Sequence, residues 1–186
     1  VAYYMGTDIS EEMIHRVEEK IDPKIHDNIE VSVLAAHELE KLKGNGPFDV
    51  IIVNSVVQCF PGHQYLKDVL KSCVSLLNDE GIIFLGDLMD HGKKNDLVNS
   101  LVNSDAFLAR NSRGLLEEEL FISKEFLDDL CIDIEGITSA DHSSKIGKIE
   151  NELTQFRFDS ILKVSKDQTN SNQVISKKKY QDGQQA

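Results

Sequence analysis

Asn54 and Ser55 end an apolar, β-branched run, Val50-Ile-Ile-Val53, and the amide of Gln58 follows three residues later. Small polar groups there suit a ligand crevice, because open α/β sheets bind outside the carboxyl ends of their strands. Asp8 has the equivalent place after an earlier strand, behind Gly6 and ahead of a helix cap at Ser10. Its carboxylate either accepts both hydroxyls of a ribose or caps the helix. Ala35 and Ala36 follow the next strand and are small enough to admit an adenine ring to the backbone; His37 beside them is read as an exposed loop histidine or as part of that site. Asp87, and Asp90 with His91, close a further strand, where a carboxylate acts as acid or base or is simply solvated. The last cluster is Glu150-Asn-Glu-Leu-Thr-Gln-Phe-Arg-Phe-Asp159. Its Arg157 can hold a carboxylate through two parallel hydrogen bonds, or join an ion-pair network that fixes an edge hairpin.

Regular elements must carry these groups. Residues 1–8 read as a strand. Ser10 then caps a helix with Glu11 and Glu12 in its first turn, where the dipole favours carboxylates. Met13, Ile14, Val17 and Ile21 keep helical spacing, and Asp22-Pro23 ends it. Residues 29–36 give the next strand, followed by a short acidic helix and a turn over 44–47. The strand from Phe48 reads as buried on both faces over Val50–Val53, as parallel strands are. Residues 63–77 form a helix with Leu66, Val69, Leu70, Cys73 and Leu77 on one face. A turn over 78–81 leads into a strand over 82–85 that ends in Gly86-Asp87. Alternation at this spacing predicts right-handed β-α-β units and a parallel sheet. Helices are expected over 94–108 and 125–130, and strands over about 133–140 and 156–164 that pair antiparallel at the sheet edge. From Ser165 onward no hydrophobic period survives, so 165–186 reads as a polar tail or linker behind one domain over 1–164.

The chain of 186 residues, 40% of them hydrophobic, can bury one core. A net charge of -12 argues against a nucleic-acid partner, and Lys177-Lys178-Lys179 reads as a solvated run. Three scattered cysteines suggest neither a disulfide framework nor a zinc site, and no metal is expected. No stretch reaches the length of a membrane span and no secretory signal opens the sequence, which makes the cytoplasm the expected compartment.

Four blocks, in order, resemble the methyltransferase domains embedded in nonribosomal peptide synthetases and hybrid polyketide synthases. They are Tyr4-Met-Gly-Thr-Asp-Ile-Ser10; Asn54-Ser-Val-Val-Gln-Cys-Phe-Pro61 with Tyr65-Leu66; Gly81-Ile-Ile-Phe-Leu-Gly-Asp87; and Asn151-Glu-Leu-Thr-Gln-Phe-Arg-Phe-Asp159. The second and fourth are specific to that group. The likeness implies a Rossmann-like fold binding S-adenosylmethionine, with Asp8 after Gly6 on the ribose, Ala36 and His37 beside the adenine, and Asn54 and Ser55 beside the methionine moiety. It implies methyl transfer to an acyl or aminoacyl group on a carrier protein, with adenylation and carrier domains as neighbours. Two departures stand out. The glycine-rich E-x-G-x-G-x-G motif that should precede Tyr3 is absent from this sequence, so the chain reads as part of a domain whose first strand-helix unit is missing. Glu80 also replaces the first glycine of a usual Gly-Gly turn.

Carbon-methylating relatives carry a catalytic histidine at the position of Gln58. An amide cannot deprotonate a carbon acid, whereas a neutral amine needs mainly alignment with the methyl group. The resemblance therefore favours nitrogen as acceptor, with Asp87 or Glu152 orienting the amine. The alternatives are a small-molecule O-methyltransferase and a non-catalytic fragment unable to bind cofactor.

Overall fold

The computed structural model describes residues 2–22, 24, 27–104, 119–147 and 149–167. The polar tail from 168 and part of the helix expected over 94–108 lie outside the described residues. The chain divides into two units, 1–47 and 48–186.

In the first unit β1 (Tyr4–Asp8) pairs in parallel with β2 (Ile29–Val33), Gly6 lying beside Val31. Between them α1 (Glu11–Glu18) starts at Ser10, whose hydroxyl accepts the Met13 amide. Such caps are worth about 1 kcal/mol. The helix ends before Ile21, and Ile14 is its buried residue. β2 stops short of the expected 36, because the Ala35 amide donates to the Glu38 carboxylate and turns the chain into a 3-10 helix, Ala36–Leu42.

The second unit is a mixed sheet in the order β3 (Phe48–Asn54), β4 (Leu77–Asp90), β7 (Arg157–Ser165), β6 (Ile137–Ser144), with β5 (Phe121–Ile122) beside the far end of β4. β3 and β5 run parallel to β4; β7 runs antiparallel to both β4 and β6. The late hairpin is thus where the alternation placed it, with β7 inside and β6 at the edge. Among the described residues the unit also has the α-helices α2 (His63–Leu76), α3 (Lys94–Ser104), α4 (Lys124–Asp133) and α5 (Glu152–Phe156).

One face of this sheet is a closed core. Ile83, Leu85, Ser160 and Leu162 are buried there, as are Leu66, Leu70 and Cys73 of α2 and Leu127 and Leu130 of α4. Burial pushes the Cys73 thiol up to about 12, so it is an inert hydrophobe. Along the rim of the unit, Met89, Leu97, Phe121 and Phe156 form a second cluster with Val98 against it.

Three expectations need correction. Val50 is 51% exposed and Ile52 64%, so β3 is buried on one face only, through Val53. The core helices cover the face of Ile83 and Leu85, and Val50 and Ile52 alternate to the other. The turn expected over 78–81 is part of β4, because β7 gives Glu80 and Gly81 partners in Ser165 and Val164 while Phe48 of β3 pairs with Leu77. The strand expected over 133–140 starts later, since α4 continues to Asp133 and the chain turns through Gly136 at φ 93°.

Candidate active site

A bulge in β4 makes the site. Leu85 faces Ser160 and Leu88 faces Phe158, so three steps along β4 match two along β7. The extra residue throws Asp87 out of the ladder at φ 59°, a left-handed conformation that β-bulges use and side chains rarely adopt. Its amide, deprived of a ladder partner, donates to Asp159 Oδ1 at 2.9 Å. Ser55, at the end of β3, has φ 58° and donates its hydroxyl to Asp87 Oδ2 at 2.5 Å. Asn54 Nδ2 donates to Ser55 Oγ at 3.0 Å. Two neighbouring non-glycine residues in sparsely populated backbone conformations, one just past β3 and one in the bulge of β4, are features that cluster at sites needing a fixed geometry.

Lys145 closes the cluster. It leaves the end of β6 and puts its ammonium 2.5 Å from Asp87 Oδ1 and 2.6 Å from Asp159 Oδ1. The three side chains are 17–19% exposed. Burial pushes the Asp87 carboxyl up, but the hydrogen bonds from Lys145 and Ser55 outweigh it and hold the group below the usual carboxylate range. Burial likewise works against the Lys145 cation, and the two carboxylates overcome it and raise its pKa.

These opposite shifts set a window of stability. The depressed Asp87 contributes fully above its unfolded value, about 4, and that contribution is lost as pH falls through the folded one. The raised Lys145 contributes fully below about 10.4 and loses its share as pH rises through its folded value. Urea midpoints should therefore fall at pH 3 relative to pH 7 more steeply in the parent chain than in Lys145→Met; equal falls would show that the cluster adds nothing.

Glu152 and Arg157 pair with each other. Nε and Nη2 of Arg157 donate to the two carboxylate oxygens at 2.7 and 3.3 Å, the fork expected of Arg157 spent on a neighbour in its own chain. Arg157 also acts on Asp87 at longer range. Glu119 lies in the same field: burial pushes its carboxyl up, Arg157 draws it down and Glu152 pushes it up further. Gln58 donates from Nε2 to the Ser55 carbonyl at 2.8 Å, and its Oε1 is buried with no hydrogen-bond partner among the described residues. Asp90 accepts the Gly92 amide at 2.9 Å and so caps its own turn.

In the first unit Asp8 Oδ1 accepts the Ser10 amide at 2.7 Å. Asp8 thus forms a turn that leads into the Ser10 cap, yet Oδ2 has no partner among the described residues, and a carboxylate offers about four acceptor sites. The Leu34 amide donates to the Asp8 carbonyl at 2.9 Å, so the β2 end that leads to Ala36 is tied to the β1 end. His37 is exposed. Gly6 has no room for a side chain to spare: a Cβ there would stand 3.1 Å from the Tyr4 ring and 3.2 Å from Val31.

Residues 1–83 match the family described as a methyltransferase domain. Over those residues the chain is a methyltransferase domain. It is 32% identical over 163 residues to a probable non-canonical nonribosomal peptide synthetase, CymA, of Salinispora arenicola, covering 86% of this chain and 2% of that protein. It is 31% identical over 174 residues to the chondramide synthase cmdD of Chondromyces crocatus, covering 88% of this chain and 4% of that one. The domain thus spans a few per cent of the curated relatives' length. Among solved structures, the CurJ carbon methyltransferase superposes with a TM-score of 0.57 at 18% identity, over 88% of this chain and 42% of that one, which shows the fold.

Asp8 keeps one carboxylate oxygen without a partner among the described residues, and Ala36, the first residue of the 3-10 helix, carries only a methyl group. Lys145 and Asp159 were missed as site residues. Asp159 lies inside the cluster singled out by composition, but its amide-capping role depends on a bulge that no residue type announces. Lys145 carried no local signal, since a lysine after an edge strand is ordinarily solvated. No group of three or more His, Cys, Asp or Glu side chains among the described residues is arranged to hold a metal ion, and no described helix is long and apolar enough to cross a membrane.

Proposed function

We propose that this domain transfers a methyl group from S-adenosylmethionine to the amine of an aminoacyl group tethered to a carrier protein, within a cytoplasmic nonribosomal peptide assembly line. When bound, the cofactor supplies an electrophilic methyl carbon on a sulfonium. Asp8 would hold the ribose, with Gly6 keeping the β1 end narrow; Ala36 and His37 would flank the adenine; Asn54 and Ser55 would flank the methionine moiety. Asp87 would orient the acceptor amine and take hydrogen bonds from its N–H groups. Glu152 and Arg157, locked on each other, would shape the electrostatics beside it.

The observation that carries the reading is the pairing of Ser55, just past β3, with Asp87 in the β4 bulge, next to an amide, Gln58, rather than a base. An amine nucleophile needs positioning, which this cluster supplies, and no strong base, which it lacks. The likeness to a nonribosomal peptide synthetase supports adenylation and carrier domains as neighbours.

Calorimetric titration with S-adenosylhomocysteine tests the cofactor half. Asp8→Asn removes the charge from the hydroxyl-binding group, and hydrogen bonds to a charged partner are worth about 1.5–3 kcal/mol, so affinity should fall about 10–100-fold. Unchanged affinity would leave Asp8 as a turn residue only. Transfer of labelled methyl to an aminoacyl-loaded carrier, against a hydroxyacyl-loaded one, tests the acceptor; preference for the hydroxyl would support O-methylation instead. Heat from a longer polypeptide but none from this chain would show that residues outside it are needed for binding.

A further inference from the structure

Three strands and a loop converge on the Asp87 carboxylate. Ser55 comes from β3, Asp87 from the bulge of β4, Asp159 from β7, and Lys145 from the loop after β6. Asp87 is held on every side that the described residues offer: its amide by Asp159, Oδ2 by Ser55, Oδ1 by Lys145. The loop carrying Lys145 is itself anchored, since a Cβ at Gly147 would stand 2.5 Å from Thr154 Cγ2 and the Thr154 hydroxyl donates to the Ile149 carbonyl at 2.9 Å.

We propose that Lys145, seated on Asp159, is a positioning residue for methyl transfer: it fixes the rotation of the Asp87 carboxylate and keeps it an acceptor for the substrate amine. This rests on the reading of Asp87 given above. A side chain projecting from a bulge at positive φ has no packed neighbours along a regular strand to define its torsions. Here the definition comes from a two-carboxylate bridge, whose ammonium has the directed N–H groups to set it. Asp159 accepts both the Asp87 amide and the ammonium, so one carboxylate couples the backbone of the bulge to the orientation of its side chain.

The test joins two readouts. Carbon-13 titration of the Asp87 carboxyl in the cofactor-free chain reports the electrostatic hold without any reaction. The charged or polar groups that bear on Asp87 are Ser55 from β3, Lys145 from the loop after β6, and Asp159 and Arg157 from β7. Lys145→Met keeps the aliphatic stem and should raise the Asp87 midpoint by about 1–3 pH units, the scale of one lost opposite charge. In methyl transfer to an aminoacyl thioester the same variant should lose about 10–100-fold in kcat, the cost of a small misplacement, with the KM for S-adenosylmethionine within about twofold. Lys145→Arg should recover part of that loss. Should Lys145→Met fail to fold, Asp159→Asn serves, because its amide oxygen still accepts the Asp87 amide while the negative charge that seats Lys145 is gone. Loss of stability with an unmoved Asp87 midpoint and unchanged kcat per folded molecule would make Lys145 a structural bridge and overturn the proposal. An unaltered midpoint with reduced kcat would equally overturn it. A parent chain that binds S-adenosylhomocysteine yet methylates no amine, while Lys145→Met still shifts Asp87, would sink the amine-acceptor reading and leave the hold on Asp87 standing.

Discussion

Gly86→Ala lowers the unfolding free energy by about 2–3 kcal/mol, the upper part of the range for overpacking a filled site. Gly86 lies beside Asn54 in the β3–β4 ladder, and the Ser55 amide donates to its carbonyl at 3.1 Å. A Cβ there would stand 1.9 Å from Asn54 Oδ1 and 2.8 Å from Phe84 Cε1. The backbone of Gly86 is not in the left-handed region, so the cost is steric. Relief requires Asn54 to swing away, which breaks its hydrogen bond to Ser55 and loosens the group that holds Asp87. Stability and site geometry should therefore fail together. Urea denaturation of Gly86→Ala, Asn54→Ala and the double variant checks it. The double variant should regain at least 1 kcal/mol relative to additivity, as expected for directly contacting sites. An additive result would show that Asn54 is not what excludes a side chain at 86.

Phe158→Ala should cost more, about 3–5 kcal/mol, as for other fully buried aromatic side chains. Phe158 is 1% exposed, faces Leu88 just past the bulge, and meets the His142 ring edge-on at 5.9 Å between centroids. His142 in turn lies 3.1 Å from the Ser160 hydroxyl and 3.2 Å from Asp128. Emptying the position removes packing under both strands that carry site carboxylates. Against a typical total of about 5–15 kcal/mol, such a loss approaches global unfolding. Phe158→Leu, which keeps most of the volume, should retain a cooperative transition. A cost below about 1 kcal/mol for the alanine variant would mean that the bulge region tolerates a cavity and that β7 is not part of its support.

The alternation of strands and helices and the antiparallel closing hairpin were legible because hydrophobic runs, a helix cap at Ser10 and turn residues all pointed the same way. Asn54, Ser55 and Asp87 were legible as site candidates for a simpler reason: polar residues that end apolar runs have nowhere to go but the sheet's carboxyl rim. The partners of Asp87 were not. Lys145 lies 58 positions from Asp87 along the chain, and only the insertion of β7 between β4 and β6 brings the two within reach. The two-pronged reach of Arg157 was foreseen, but its target is Glu152, five residues away and across the start of β7. Exposure of Val50 and Ile52 was invisible too, since β-branched residues read alike whether one face of a strand is covered or two.

The single extra residue at Gly86-Asp87 also changes the frame in which β4 is read. Ile83 and Leu85 point into the closed core at odd positions, and beyond the bulge that duty passes to Leu88, an even one, while Met89 joins the rim cluster with Leu97 and Phe121. Removing one residue between 85 and 88 would restore simple alternation with Leu88 still in the core and Met89 still at the rim, whereas flattening the bulge with every residue kept would exchange those two destinations. The parity of this strand thus ties the local count of residues at the site to which side chains fill the interior a few ångströms away.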